Sequence, residues 1–225
     1  MKSKTVYLCS ACGDDFAKWN GQCPSCNEWG TLSEFKISKN KKVSRKNRTE
    51  PENLHSILNS EPSTRLLTGL VEADRVFGGG LLSGSLILLG GNPGVGKSTL
   101  ALHICAGLGE KVLYISAEES EEQVALRARR LDLESNNLFL SSENELDGII
   151  KHLDRINPIL VIIDSIQTIF NPELESLPGS PSQIRDCGQQ LLEISKTKNI
   201  TILIVGHVTK DGTIAGPKML EHMVD

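Results

Sequence analysis

The ten residues "GGNPGVGKST", positions 90–99, restrict the fold of this chain more than any other stretch. They follow a short apolar run, "SLILLG", and lead directly into "KSTLALHICAGL", a helix by its spacing. Gly91 to Ser98 fits G-x-x-x-x-G-K-S without a mismatch, in the strand–loop–helix setting that the pattern requires. The glycines allow the backbone to curl until successive N–H groups face one point, and the helix N-terminus adds partial positive charge there. Phosphate oxygens suit such a cradle. The candidate nucleotide-binding residues are therefore Gly91, Asn92, Pro93, Gly94, Val95, Gly96, Lys97, Ser98 and Thr99. Lys97 is expected at the β- and γ-phosphates, the Ser98 hydroxyl on Mg2+, and Thr99 at the α-phosphate. An unrelated glycine-rich turn would lack the strand before it and the helix after it.

From residue 65 onward, strand and helix patterns alternate. "KVLYIS" reads as a strand, and Ser120 with Gln123 forms a capping box that opens the helix "EEQVALRARRL". "NLFLS" is a weaker strand. In "ELDGIIKHLDRI", Leu146, Ile149, Ile150 and Leu153 recur at helical spacing, with Pro158 just beyond. "ILVII" is apolar on both faces, as a central parallel strand should be. The helix "SQIRDCGQQLLEISK" and the strand "ITILIVG" complete the series. The fold class is α/β, with a mostly parallel sheet and right-handed crossovers.

Two acidic positions stand at strand ends. Asp164 closes "ILVIID", and a carboxylate there can hold Mg2+ through water; its strand is expected beside that of the phosphate loop. Glu118 follows "LYIS" and neighbours Glu119. One reading gives Glu118 the attacking water; the other places both acids in a helix first turn, where they favour the dipole. Position alone does not separate these readings.

The amino-terminal segment is of another kind. Cys9, Cys12, Cys23 and Cys26 give C-x2-C-x10-C-x2-C, two knuckles whose thiolates converge on one tetrahedral ion. Four protein ligands leave no open position, so the expected Zn2+ is structural and supplies most of the module's folding energy. A redox role would need only one pair. Trp19 sits inside the module and Trp29 just after it. Covering its tiny core is the favoured role, and stacking on a nucleic-acid base the alternative. The domain boundaries read 1–35 for the finger, 36–63 for a flexible linker and 64–225 for the α/β domain.

Seven Lys or Arg without an acid fill residues 36–48. They either touch nucleic-acid phosphates or keep the tether extended. Bulk charge adds no argument for a nucleic-acid partner, since the net charge is −4 over 225 residues. The start has no apolar h-region and no run approaches a membrane span, so a cytoplasmic protein with reduced thiols is expected. Cys105 and Cys187 read as small buried residues, and His55, His103 and His152 as ordinary ones. Arg127, Arg129 and Arg130 read as the solvated face of their helix.

Four segments carry a resemblance: "STRLLTGLVEADRVFGGGLLSGSLILLGGNPGVGKSTLALHI", "LYISAEES", "ILVIIDSIQTI" and "VGHVTKDGTIAGPKMLEHMVD". Together they resemble the bacterial RadA (Sms) family, RecA-fold ATPases of recombination and DNA repair, which carry a similar four-cysteine finger. The resemblance implies a RecA-like core that binds ATP, Mg2+ and structural Zn2+. It places Glu118 at the water-activating position, with Lys97 and Asp164 completing the catalytic set. It implies that the loops 167–183 and 207–217 face single-stranded DNA, the second through Lys210 and, one residue past its end, Lys218, with His207 and Thr209 sensing the γ-phosphate. It further implies a homo-hexamer acting on recombination intermediates by translocation or branch migration, with a recombinase or helicase partner at the finger. Family members continue into a Lys-Asn-Arg-Phe-Gly motif and a Lon-protease-like domain, so an N-terminal fragment is expected. The alternative is a KaiC-like, nucleotide-switched assembly protein whose finger recruits a protein.

Overall fold

In the computed structural model the described residues are 4–9, 11, 14–37, 51, 53–55, 59, 65–207 and 218–225. The amino-terminal module pairs β1 (Lys4–Cys9) antiparallel with both β2 (Asp15–Phe16) and β3 (Leu32–Ile37). Its core is Cys9, Cys23 and Leu32, with Tyr7, Phe16 and Cys26 packed against them. The tryptophans are not part of that core. Trp19 is 60% exposed and Trp29 74%, which overturns the expectation that they cover it. The cysteines themselves fill the interior, so little is left for an indole to cover.

The hairpin of β4 (Arg65–Leu66) and β5 (Leu81–Leu82) encloses a short helix, α1 (Val71–Val76). Arg65 gathers this turn by donating to the carbonyls of Phe77 and Gly80, each at 2.9 Å. Thr68 donates through both N–H and hydroxyl to Asp74 at 2.8 Å. The hairpin sits tightly on the next helix: a Cβ at Gly107 would stand 2.2 Å from the Thr68 carbonyl oxygen. Only glycine allows that approach.

The main domain follows the alternating pattern. Its elements are β6 (Leu86–Gly91), α2 (Lys97–Gly107), β7 (Val112–Ser116), α3 (Glu121–Arg130), β8 (Leu138–Ser141), α4 (Leu146–Ile156), β9 (Leu160–Asp164), α5 (Pro181–Lys198) and β10 (Thr201–His207). The capping box at Ser120 and Gln123 is present. Asn157 and Asn199 take left-handed φ of 51° and 54° where α4 and α5 stop.

The five strands lie parallel in the order β6-β10-β9-β7-β8. Residues of alternate parity enter opposite layers. Leu113, Ile115, Val161, Ile163, Ile202 and Ile204 face α4 and α5. Val112, Tyr114, Leu160, Ile162, Leu203 and Val205 face α2 and α3. A sheet covered on both faces accounts for the continuous apolar runs of its central strands.

The strand order corrects one expectation. The Asp164 strand is not beside the phosphate-loop strand, because β10 lies between them and pairs with both. Residues 218–225 turn back onto the sheet. Leu220 is buried against α5, and Asp225 exchanges hydrogen bonds with the Leu86 backbone at 2.9 Å in each direction.

Candidate nucleotide site and metal-binding finger

The loop between β6 and α2 has the left-handed turns its glycines permit, with φ of 79° at Gly94 and 96° at Gly96. Lys97 is buried, and its Nζ donates to the carbonyls of Gly91 and Asn92, both at 2.9 Å. The loop's cation is thus held by the loop's own backbone. Ser98 and Thr99 follow in the first turn of α2, both half-buried.

Asp164 ends β9 as a buried carboxylate, and Tyr114 Oη donates to its Oδ2 at 2.6 Å. Burial, and then the negative charge of Asp164, push the Tyr114 phenol well above its ordinary range. The hydroxyl therefore stays a donor at every working pH. Asp164 pairs in register with Val205 of β10, and Val205 pairs with Leu89 of β6. Two strand spacings, about 10 Å, separate the Asp164 backbone from β6. That span suits a carboxylate that reaches a loop-bound cation through water.

Glu118 lies just past β7, whose end stays tied to β9: Ser116 pairs with Asp164, and Ala117 N–H donates to the Asp164 carbonyl at 3.3 Å. The buried Ser165 hydroxyl donates to Glu118 Oε1 at 2.7 Å. Glu119 turns elsewhere and forms an ion pair with Arg127 of α3. Arg127 is therefore not on the solvated face of α3, whereas Arg129 and Arg130 are exposed. The fold separates two acids that sequence position left equivalent.

The loop 167–183 is anchored by an amide the sequence reading passed over. Gln183, fully buried, accepts from Asn171 N–H at 2.8 Å and donates to the carbonyls of Asn171 and Ser176 at 3.0 and 2.9 Å. Asn171 in turn donates to Asp186 at 2.9 Å. A glutamine at the start of a helix carries no signal of this in sequence, since its partners are backbone groups far along the loop. Glu173, Glu175 and Leu177 remain exposed. Of the residues expected in the second loop, Thr209 and Lys210 lie outside the described residues. The backbone of His207 closes β10 opposite Gly91, and Lys218 opens the 3-10 helix Lys218–His222.

In the finger, Cys9, Cys23 and Cys26 bring their Sγ atoms within 4.8 Å of one another. Cys12 lies outside the described residues. Two backbone bonds shape matching knuckles: Cys9 N–H donates to Asp14 O, and Cys23 N–H to Glu28 O, each at 2.9 Å. The Cys9 and Cys26 sulfurs are 3.7 Å apart. A Zn–S bond of about 2.3 Å gives a tetrahedral S–S edge of about 3.8 Å, so the spacing fits zinc. Cys105 and Cys187 are buried singly on α2 and α5, as expected. Burial, then the charge of Asp186, pushes the Cys187 thiol up to about 12; burial raises Cys105 still further.

A glycine-rich loop between β6 and α2, with carboxylates at the ends of β9 and β7, defines a RecA-like P-loop ATPase domain behind a zinc ribbon. Comparison with known families agrees. Residues 58–213 match the AAA domain model, and residues 7–34 match the model of the rubredoxin metal binding domain. The chain belongs to the AAA domain family. It is 47% identical to the DNA repair protein RadA of Listeria monocytogenes, covering 100% of this chain and 50% of that protein. The RadA proteins of Rickettsia bellii and Bacillus subtilis are 48% and 45% identical, each covering 100% of this chain and 51% of theirs. The resemblance read from four segments thus extends along the whole chain, which spans about half the length of these relatives. No helix among the described residues is long and apolar enough to cross a membrane.

Proposed function

We propose that this chain carries the ATP-hydrolysing part of a cytoplasmic DNA repair ATPase that acts on single-stranded DNA. The observation that carries the reading is the meeting of β7 and β9. There Glu118, bonded to Ser165, stands beside the buried Asp164, while Glu119 is neutralised by Arg127. ATP bound with Mg2+ would present an electrophilic γ-phosphoryl group at the loop. Lys97 would exchange the carbonyls of Gly91 and Asn92 for phosphate oxygens, and the loop N–H groups would bind the rest. Ser98 and Asp164 would hold the cation, Asp164 through water. Glu118 would accept a proton from the attacking water. In the full-length protein the reading extends to a hexamer whose turnover moves it along DNA or extends the branches of recombination intermediates. The loops 167–183 and 207–217 would contact the strand, with His207, Thr209 and Lys210 on the second and Lys218 just past it.

The test is the ATPase rate of the full-length protein with and without an oligodeoxynucleotide. A several-fold stimulation is expected. Equal rates, together with no DNA binding at low salt, would remove the DNA from this reading and favour a nucleotide-switched assembly protein.

Tyr114 supports Asp164 in this scheme. Tyr114→Phe keeps the buried ring and removes only the bond to Oδ2. Partners behind a metal-holding group commonly contribute 10- to 100-fold in metal affinity. The Mg2+ concentration for half-maximal ATPase should therefore rise about tenfold, with the thermal transition nearly unchanged. An unaltered Mg2+ dependence would show that Asp164 needs no such support.

A further inference from the structure

The exposed tryptophans have no part in the nucleotide site. Trp29 is held in place by backbone: it forms a bridge with Gln22, and Gly30 N–H donates to the Gly21 carbonyl at 2.9 Å. Both indoles border one glycine. A Cβ at Gly21 would stand 3.5 Å from Trp29 Cζ3 and 3.8 Å from Trp19 Cη2. The two rings therefore form a single apolar face, 60% and 74% exposed, on a module whose interior is completed by its cysteines. So large an aromatic surface left in water on so small a module marks a contact site.

Charge indicates what covers it. β3 leaves the finger at Ile37 and the chain passes straight into a segment where residues 36–48 hold seven Lys or Arg and no acid. Of the finger's own four acids, Asp15 is paired with Arg185 at 3.2 Å, while Asp14, Glu28 and Glu34 are exposed. The positive charge thus lies in the run that follows the finger and not on the finger itself. Flat aromatic faces joined in sequence to dense positive charge match a polymer of flat bases on an anionic backbone. A basic track with stacking rings is the general device for single strands, and base–aromatic stacking tolerates any sequence. A protein partner, which the resemblance implied for the finger, would match the rings but gives no reason for the acid-free basic run that follows the finger in sequence.

We infer that Trp19 and Trp29 form a stacking platform for the bases of a single-stranded nucleic acid, separate from the ATPase core. The inference shares its ligand class with the function proposed above but needs neither nucleotide nor turnover, so the two fail separately.

The chain carries its own reporter, because Trp19 and Trp29 are its only two tryptophans. Titrating the zinc-loaded full-length protein with oligodeoxythymidylate at low salt, without ATP, should quench in a saturable way the part of the indole emission that a Trp19→Phe, Trp29→Phe double variant lacks. Exposed-ring variants leave the core untouched, so ATPase without DNA should stay at the parent rate in all of them. Fluorescence anisotropy of a labelled oligonucleotide should show Trp19→Ala and Trp29→Ala each weakening binding about tenfold or more. Trp19→Phe and Trp29→Phe should restore most of the loss, since phenylalanine also stacks. Absence of quenching, or an alanine double variant that binds as the parent does, would overturn the inference. So would emission that responds to a protein partner and not to the oligonucleotide.

Discussion

Glu118→Gln is expected to bind ATP as the parent does and to hydrolyse it at least 100-fold more slowly. General-base assistance contributes about 10²- to 10⁴-fold, and a carboxamide cannot take a proton from water. The variant preserves what surrounds it: the Gln oxygen still accepts from Ser165, which now donates to Glu118 at 2.7 Å. Glu119→Gln is the matched control. It cancels the ion pair with Arg127, worth about 0–1 kcal/mol at partial exposure, and should leave turnover within a few-fold of the parent. Calorimetric ATP affinity and single-turnover hydrolysis, measured on both variants, decide the matter. Full activity in Glu118→Gln, or its loss in Glu119→Gln, would reassign the water-activating role.

Removing metal from the finger should change thiol chemistry in an all-or-none way. With zinc bound, Cys9, Cys12, Cys23 and Cys26 are ligands and react slowly with a disulfide reagent. Chelation should release about one Zn2+ per chain and expose these four thiols to fast reaction, because a module this small loses its fold with its metal. Cys105 and Cys187 give the contrast. Both are buried with raised thiol pKa values, so neither supplies thiolate until the α/β domain itself unfolds. Four fast thiols followed by two slow ones is the expected pattern. Unchanged reactivity on chelation would show that the cluster holds no metal. Indole emission would report this step poorly, since both rings are exposed before the metal leaves.

Much of this architecture was readable in advance because its signals are local. The phosphate loop, the capping box at Ser120, the cysteine knuckles and the strand–helix alternation each depend on residues within a few positions of one another. What stayed hidden depends on spatial neighbours. Chain order does not state that β10, the last strand among the described residues, inserts between β6 and β9, so Asp164 was expected one strand too near the loop. The same gap concealed the Tyr114 hydrogen bond, which forms only once β7 lies beside β9. Glu118 and Glu119 looked alike until Arg127 took one of them. The tryptophans lie outside because the sulfur cluster fills the space that composition alone assigns to them. The hairpin around α1 escaped notice because its strands are two residues each and Arg65, not hydrophobic alternation, gathers it.

The position of β10 also sets a schedule. A ribosome delivers β6 and its phosphate loop early, then β7, β8 and β9, yet β6 has no partner among these. Until residues 201–207 emerge, no strand pairing links the glycine loop to the carboxylates, and only the packing of α2 on the sheet face relates them. The nucleotide site is thus completed only when β10 is threaded between β6 and β9, and a chain stalled before Thr201 would carry the residues of the motif without the strand that sets their spacing.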